Sequence, residues 1–201
     1  LKELAGKLTE LRKKYAGMFE GEITKHIADL AMPQGKFTIQ FAVKEDFGKT
    51  GCDDMVFMFS ANAGEPLMEL TKVASGGELS RIALAVKTVL FNELGVPTMI
   101  FDEIDTGVSG SIAEKMAHIM QEMGALNRQV ISITHLPQIA ALGSTHYKVY
   151  KEDHAEGTSS HIVQLDEKGR VEEIAHMLSG TTLTDAAINN AKELLNQSYR
   201  K

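Results

Sequence analysis

Asp102 and Glu103 follow the short apolar run Thr98-Met99-Ile100-Phe101, and about 30 residues later Gln129-Val130-Ile131-Ser132-Ile133-Thr134 leads into His135. Two acids after a run that should be buried call for something to act on, a metal ion or a water. The run reads as a central parallel strand, and its carboxyl end is where open α/β sheets place their ligands. Upstream, Ser75, Gly76 and Gly77 form a small-residue loop whose backbone N–H groups can approach a ligand closely. The helix that follows turns its positive dipole end toward that loop, which makes an anion site. Each piece also has an ordinary reading. A Ser-Gly-Gly turn can be a cap, an Asp-Glu pair a helix N-terminus, and a single His a surface or core residue. The order of glycine loop, helix, strand with Asp-Glu, helix and strand with His is harder to reach by accident.

These residues need elements to hold them. Leu79, Ile82, Ala83, Val86, Val89, Leu90 and Phe91 recur near a 3.6-residue period and predict a helix that Gly95 and Pro97 stop. Ile112 to Met123 reads as a helix closed by Gly124, and a short helix is expected around Leu136–Leu142. His146–Tyr150 and Ser160–Leu165 suggest an antiparallel pair around a polar Glu152–Ser159 loop, with helices at Val171–Leu178 and Thr184–Leu195 to finish. At the start, Leu1, Leu4, Leu8, Leu11, Tyr15 and Met18 follow the a/d seam of a heptad coiled coil. Fewer than three heptads are present, so a helix packed on its own domain is equally open. Ile23, Ile27 and Leu30 extend the helix to Pro33, and the opening on a seam position rather than Met predicts a piece cut from a longer protein. Phe37, Ile39, Phe41 and Val43 alternate, as do Met55, Phe57 and Phe59, which predicts a β-hairpin, with residues 61–72 as a loop. Gly48-Lys49-Thr50 between them invites a phosphate-loop reading. That pattern needs Gly at position 43, which is Val43, and a helix after Thr50, where Gly51, Cys52, Asp53 and Asp54 stand.

At 201 residues the chain can build a core for one domain or two. No apolar run approaches a membrane span and no signal peptide is visible. The single cysteine, Cys52, excludes an internal disulfide framework and fits a reducing compartment. A net charge of −6 argues against a broadly basic nucleic-acid surface. His118, His154, His161 and His176 lack metal-like spacing along the chain and read as exposed structural residues.

The set of motifs resembles the C-terminal half of an ABC-type ATPase. Ala74-Ser75-Gly76-Gly77-Glu78 resembles the signature loop, Met99 to Glu103 the Walker B strand, Ile104 to Gly110 the D-loop, and Thr134-His135 the switch histidine. The text VASGGELSRIALAVKTVL and IFDEIDTGVSG is more similar to the heads of SMC-like DNA-repair ATPases than to transporter subunits. Ala74 and Glu78 stand where transporters most often carry Leu and Gln, which weakens the transporter alternative.

The resemblance implies an α/β fold: the C-terminal lobe of an ABC-type P-loop ATPase head, with parallel strands flanked by helices plus a β-hairpin. Residues 1–31 would be the end of a coiled-coil arm and residues 32–201 the lobe. It implies ATP and Mg²⁺ as cofactors, with Asp102 holding Mg²⁺, through a coordinated water, and Glu103 as general base. His135 would sense the γ-phosphate as a second catalytic residue. Ser75, Gly76, Gly77 and Glu78 would contact the ATP of a second head, with Asp105 and Gly107 of the D-loop coupling the two sites. The missing Walker A would come from an N-terminal lobe of the same protein, so this chain alone is expected to be inactive. The implied setting is repair of DNA double-strand breaks and recombination in the cytoplasm at the nucleoid, with DNA reached through the full assembly and no membrane partner. A transporter-type ATPase subunit and a non-hydrolysing scaffold for DNA ends are the alternatives.

Overall fold

The computed structural model describes residues 1–73, 75–125, 128–154, 157–180 and 182–197. The chain folds as two compact units, Leu1–Pro97 with Thr106–Val108, and Thr98–Asp105 with Ser109–Lys201.

The first unit begins with α1 (Lys2–Asp29), a single helix roughly 42 Å long at 1.5 Å per residue. Its buried stripe is Ala5, Ala16, Ile23 and Ile27. The leucine seam lies on a neighbouring stripe and faces solvent, with Leu4 at 68% and Met18 at 63% exposure. Leu8 alone of the seam is half-buried, against Gly51, and the rest of the seam does not pack on its own domain. The polar residues between the buried positions tie the helix down. Thr9 and Arg12 both donate to the Asp53 carboxylate, at 2.7 and 2.8 Å. Glu20 accepts from the Thr38 hydroxyl at 3.0 Å and from the Ile39 N–H. Ala31 then takes a left-handed φ of 64° and Pro33 follows, so the helix cannot continue.

β1 (Lys36–Gly48) and β2 (Gly51–Ser60) form the expected hairpin, antiparallel from Lys36↔Ser60 to Val43↔Asp53. The Gly48↔Gly51 pair brackets Lys49-Thr50, so the Gly-Lys-Thr run is a hairpin turn with no helix after it. Residues 61–72 hold more structure than a loop. β3 (Met68–Glu69) adds a third strand beside β2, and a 3-10 turn spans Leu70–Lys72. α2 (Gly76–Leu94) ends at Gly95, whose φ of 61° is the left-handed cap expected of it. Its buried set is Ile82, Leu84, Ala85, Thr88, Val89 and Phe91, whereas Leu79 and Leu90 of the expected face are exposed. The helix is covered on more than one side, so a one-face reading misplaces its ends.

The Asp53 side chain is 1% exposed. The Thr9 hydroxyl foremost, and then Arg12, hold its carboxyl below the usual carboxylate range. A depressed folded pKa gives stability that is complete above the unfolded value and is lost as pH falls through the folded one. Thermal melts below pH 4 are therefore expected to show an acid-induced loss that Asp53→Asn flattens. Parallel curves for the two proteins would remove Asp53 from the acid response.

The second unit is built on β4 (Thr98–Asp102) and β5 (Gln129–Ile133), parallel and in register from Thr98↔Gln129 to Asp102↔Ile133. α3 (Gly110–Ala125) connects them and buries Ala113, Met116, Ala117, Met120 and Met123. Gly124 lies inside this helix rather than closing it; a glycine there costs about 1 kcal/mol, which the buried methionines offset. α4 (Pro137–Ala141) follows β5. β6 (Tyr147–His154) and β7 (Gly157–Gln164) pair along their full length, so most of the expected Glu152–Ser159 loop is strand. Its remaining residues, 155 and 156, lie outside the described residues. α5 (Glu167–Ser179) is capped by Asp166, which accepts from the Gly169 N–H at 2.7 Å. Ile174 and Ala175 of α5 pack with Ala141 and with Ala187, Ala191 and Leu195 of α6 (Asp185–Gln197). The buried Arg170 joins this layer to the turn after α4 by donating to the Gly143 carbonyl at 2.9 Å. His146 beside it is held below the usual imidazole range, by burial first and by Arg170 second. No helix among the described residues is long and apolar enough to cross a membrane.

Candidate functional site

The site in the second unit stands on the carboxyl ends of β4 and β5. Phe101 is fully buried and anchors the end of β4, so Asp102 and Glu103 emerge just past the core and are exposed. Asp102 pairs with Ile133 in the ladder, and the Glu103 N–H donates to the Ile133 carbonyl at 3.1 Å. Glu103 adopts φ 46°, left-handed backbone that non-glycine residues rarely enter. Such strain is held in place by surrounding structure, and it clusters at working sites. Parallel pairing brings Glu103 level with Thr134 and His135, which follow Ile133 directly.

Asp105 ties the two strand ends together. Its side chain is 1% exposed, and one carboxylate oxygen accepts from the Thr134 hydroxyl. The same Thr134 oxygen accepts from the Leu136 N–H at 3.0 Å, so one side chain shapes the turn that carries His135. The other Asp105 oxygen is buried without a hydrogen bond and lies 3.7 Å from His135 Nδ1. That distance is long for a hydrogen bond but suits an ion pair once the imidazole is protonated. The rest of His135 projects outward, with its side chain 65% exposed. Thr134 as the carrier of this turn was not singled out from the sequence. The signal was a hydroxyl immediately before the histidine.

The glycine loop lies in the first unit. Ser75 is the N-cap of α2, its hydroxyl accepting from the Glu78 N–H at 3.4 Å. Ala74 lies outside the described residues. Gly76 is exposed with open space where a side chain would begin, whereas Gly77 is buried. A Cβ on Gly77 would sit 2.6 Å from the Gly107 carbonyl oxygen, and Gly107 itself has φ 74°. The two glycines therefore meet backbone to backbone, and beside them the Ser80 hydroxyl donates to the Thr106 carbonyl at 3.3 Å. The first turn of α2 and residues 106–107 form one packed piece. Neither Ser80 nor the Gly77–Gly107 contact is visible in local sequence, because 30 residues separate the glycines.

In chemical terms the strand ends offer exposed carboxylate oxygens, the donor type that suits a hard cation such as Mg²⁺. They also offer a strained acid and an imidazole backed by a buried carboxylate. The start of α2 is a helix N-terminus with Gly76 exposed, an end of the helix dipole where an anion is favoured.

No family model matches the chain. It is 40% identical over 192 residues to the DNA repair protein RecN of Halalkalibacterium halodurans, covering 94% of this chain and 34% of that protein. Identity to the DNA repair protein RecN of Bacillus subtilis is 36% over 209 residues, covering 96% of this chain and 36% of the relative. The chain thus spans about a third of the length of the relatives it matches. Among solved structures, the Smc head domain with a coiled coil and joint from Pyrococcus yayanosii superposes with a TM-score of 0.63 at 18% identity, over 84% of this chain and 30% of that one. A chain from work on ATP-driven dimerization and DNA-stimulated activation of SMC ATPases gives 0.59 at 18% identity, over 87% and 99%. At such identities the likeness speaks for the fold, while the sequence relatives speak for the family. Along almost its whole length the chain is similar to a C-terminal part of RecN proteins, and it has the α/β fold of an SMC head.

Proposed function

We propose that this chain is the C-terminal lobe of an ATP-hydrolysing head in a DNA-repair protein, acting on double-strand breaks with two ATP molecules held between two heads. The observation that carries the reading is the pairing of β4 with β5, which sets Asp102, Glu103 and the Asp105-supported His135 at one end of one sheet. In this reading Asp102 holds Mg²⁺, whose chemistry when bound is to offset charge on the phosphates. Glu103 accepts a proton from the attacking water. His135 donates a hydrogen bond from its exposed edge to the γ-phosphate, and the buried Asp105 carboxylate faces the other ring nitrogen and holds the imidazole in that orientation. Ser75, Gly76, Gly77 and Glu78 belong to the second site, where they close over the ATP of the opposite head.

Two surfaces support an N-terminal lobe and a second arm helix as partners. Among the described residues the β4–β5 sheet has two strands, and Ile100, Ile131 and Ile133 are exposed on one of its faces. A parallel sheet is normally covered on both faces. Apart from Leu8, the leucine seam of α1 is likewise uncovered along an unbroken helix, which favours a coiled-coil arm over the compact helical insert of a transporter subunit. DNA would be reached through the full assembly, in the cytoplasm.

Expression of this chain with and without a polypeptide carrying the Walker A lobe tests the reading. The isolated chain is expected to show no calorimetric signal with Mg-ATP and no hydrolysis above background, because the main phosphate contacts are absent. The reassembled head should bind and hydrolyse ATP. Micromolar ATP affinity of the isolated chain, or an inert reassembled head, contradicts the proposal.

A further inference from the structure

We infer that the exposed face of the β6–β7 hairpin binds a borderline divalent cation of the Zn²⁺ class through Glu152, His154 and His161. Along the sequence these residues have no ligand spacing. Strand alternation and register bring them together: Glu152 and His154 are two apart on β6, and β7 places Ser159 opposite Glu152 and His161 opposite Tyr150. The four polar side chains and Tyr150 thus share one face. The ligand atoms of Glu152, His154 and His161 all lie within 4.8 Å of one another.

Two details make this more than a polar patch. His161 Nε2 is 3.4 Å from Glu152 Oε2, which matches the roughly 3.3 Å edge of a tetrahedron with metal–ligand bonds of about 2.0–2.1 Å. His154 Nε2 and His161 Nε2 each lie 2.9 Å from the Ser159 hydroxyl oxygen, so both imidazoles aim at one point. Stacking of Tyr150 on His161, with centroids 5.3 Å apart and planes at 22°, steadies the ring that must not turn away. Two imidazoles and one carboxylate select Zn²⁺, Co²⁺ or Ni²⁺ over Mg²⁺, which prefers oxygen donors. This site is thereby distinct from the Asp102–Glu103 strand ends. With three protein ligands one position stays open to water or to a donor from another molecule. Moderate rather than structural-site affinity follows, because all three side chains are exposed and binding must fix their rotamers against solvent.

The test titrates the 201-residue chain with Zn²⁺ by calorimetry and with Co²⁺ by visible absorption, beside His154→Ala, His161→Ala and Glu152→Gln. Circular dichroism checks that each variant folds. The expected result is a single saturable site of micromolar affinity, about tenfold or more weaker in every variant, and indifferent to excess Mg²⁺. No saturable binding, or binding that the two histidine variants leave unchanged, overturns the inference.

Discussion

Under the proposed function, Glu103→Gln in the full-length protein is expected to lower ATP turnover by about 10²–10⁴-fold while ATP still binds and ATP-bound head dimers accumulate. The amide keeps the shape of the side chain and removes only the proton acceptor. The backbone contact that holds residue 103 in place, its N–H on the Ile133 carbonyl, does not depend on the side chain. The left-handed backbone at φ 46° is equally open to glutamine, so the fold has no reason to weaken. Phosphate release and sedimentation with ATP, measured on one preparation, decide the matter. Turnover near the parental rate would reassign Glu103 to holding the strand end.

The glycine loop gives the second large effect, and here two neighbouring glycines should behave in opposite ways. Helix propensity alone would let either Gly→Ala change stabilise α2 by up to about 1 kcal/mol. At Gly76 nothing stands within 4 Å of a new Cβ, so Gly76→Ala should melt at or above the parental temperature. At Gly77 the new methyl meets the Gly107 carbonyl at 2.6 Å, and backbone cannot step aside as a flexible side chain can. Overpacking of this kind costs about 1–3 kcal/mol, which outweighs the propensity gain, so Gly77→Ala should melt several degrees lower. Ser75→Arg separates the functional role from the cap. Loss of the hydroxyl costs about 0.5–2 kcal/mol of stability. Under the two-head proposal the bulky side chain also abolishes ATP-dependent dimerisation, while ATP affinity of a single head stays unchanged. Normal dimerisation by Ser75→Arg, with only a lower melting temperature, would leave Ser75 as a cap.

Features written in local chemistry were legible in advance. Gly95 with Pro97 ends α2, and the apolar runs before Asp102 and His135 are parallel strands. The order of motifs likewise pointed to the head fold. What local pattern could not convey was what covers a surface. Leu4, Leu11 and Met18 carry a stronger apolar signal than Ala5 and Ala16, yet it is the alanines that are buried. The inward turn of Asp105 escaped notice because its partners sit 29 and 30 residues away. Distance along the chain hid His154 and His161 in the same way, since only the hairpin register makes them neighbours of Glu152.

α1 is fixed against rotation by its own side chains. Thr9 and Arg12 grip Asp53 on β2, and about two turns further along Glu20 grips the start of β1. A helix clamped at two heights cannot spin about its axis or slide by a turn without breaking one clamp. A twist of α1 therefore pulls on the β1–β2 hairpin at both clamps, as a key turns with its shaft. A helix held only by apolar contacts would let much of that twist slip away.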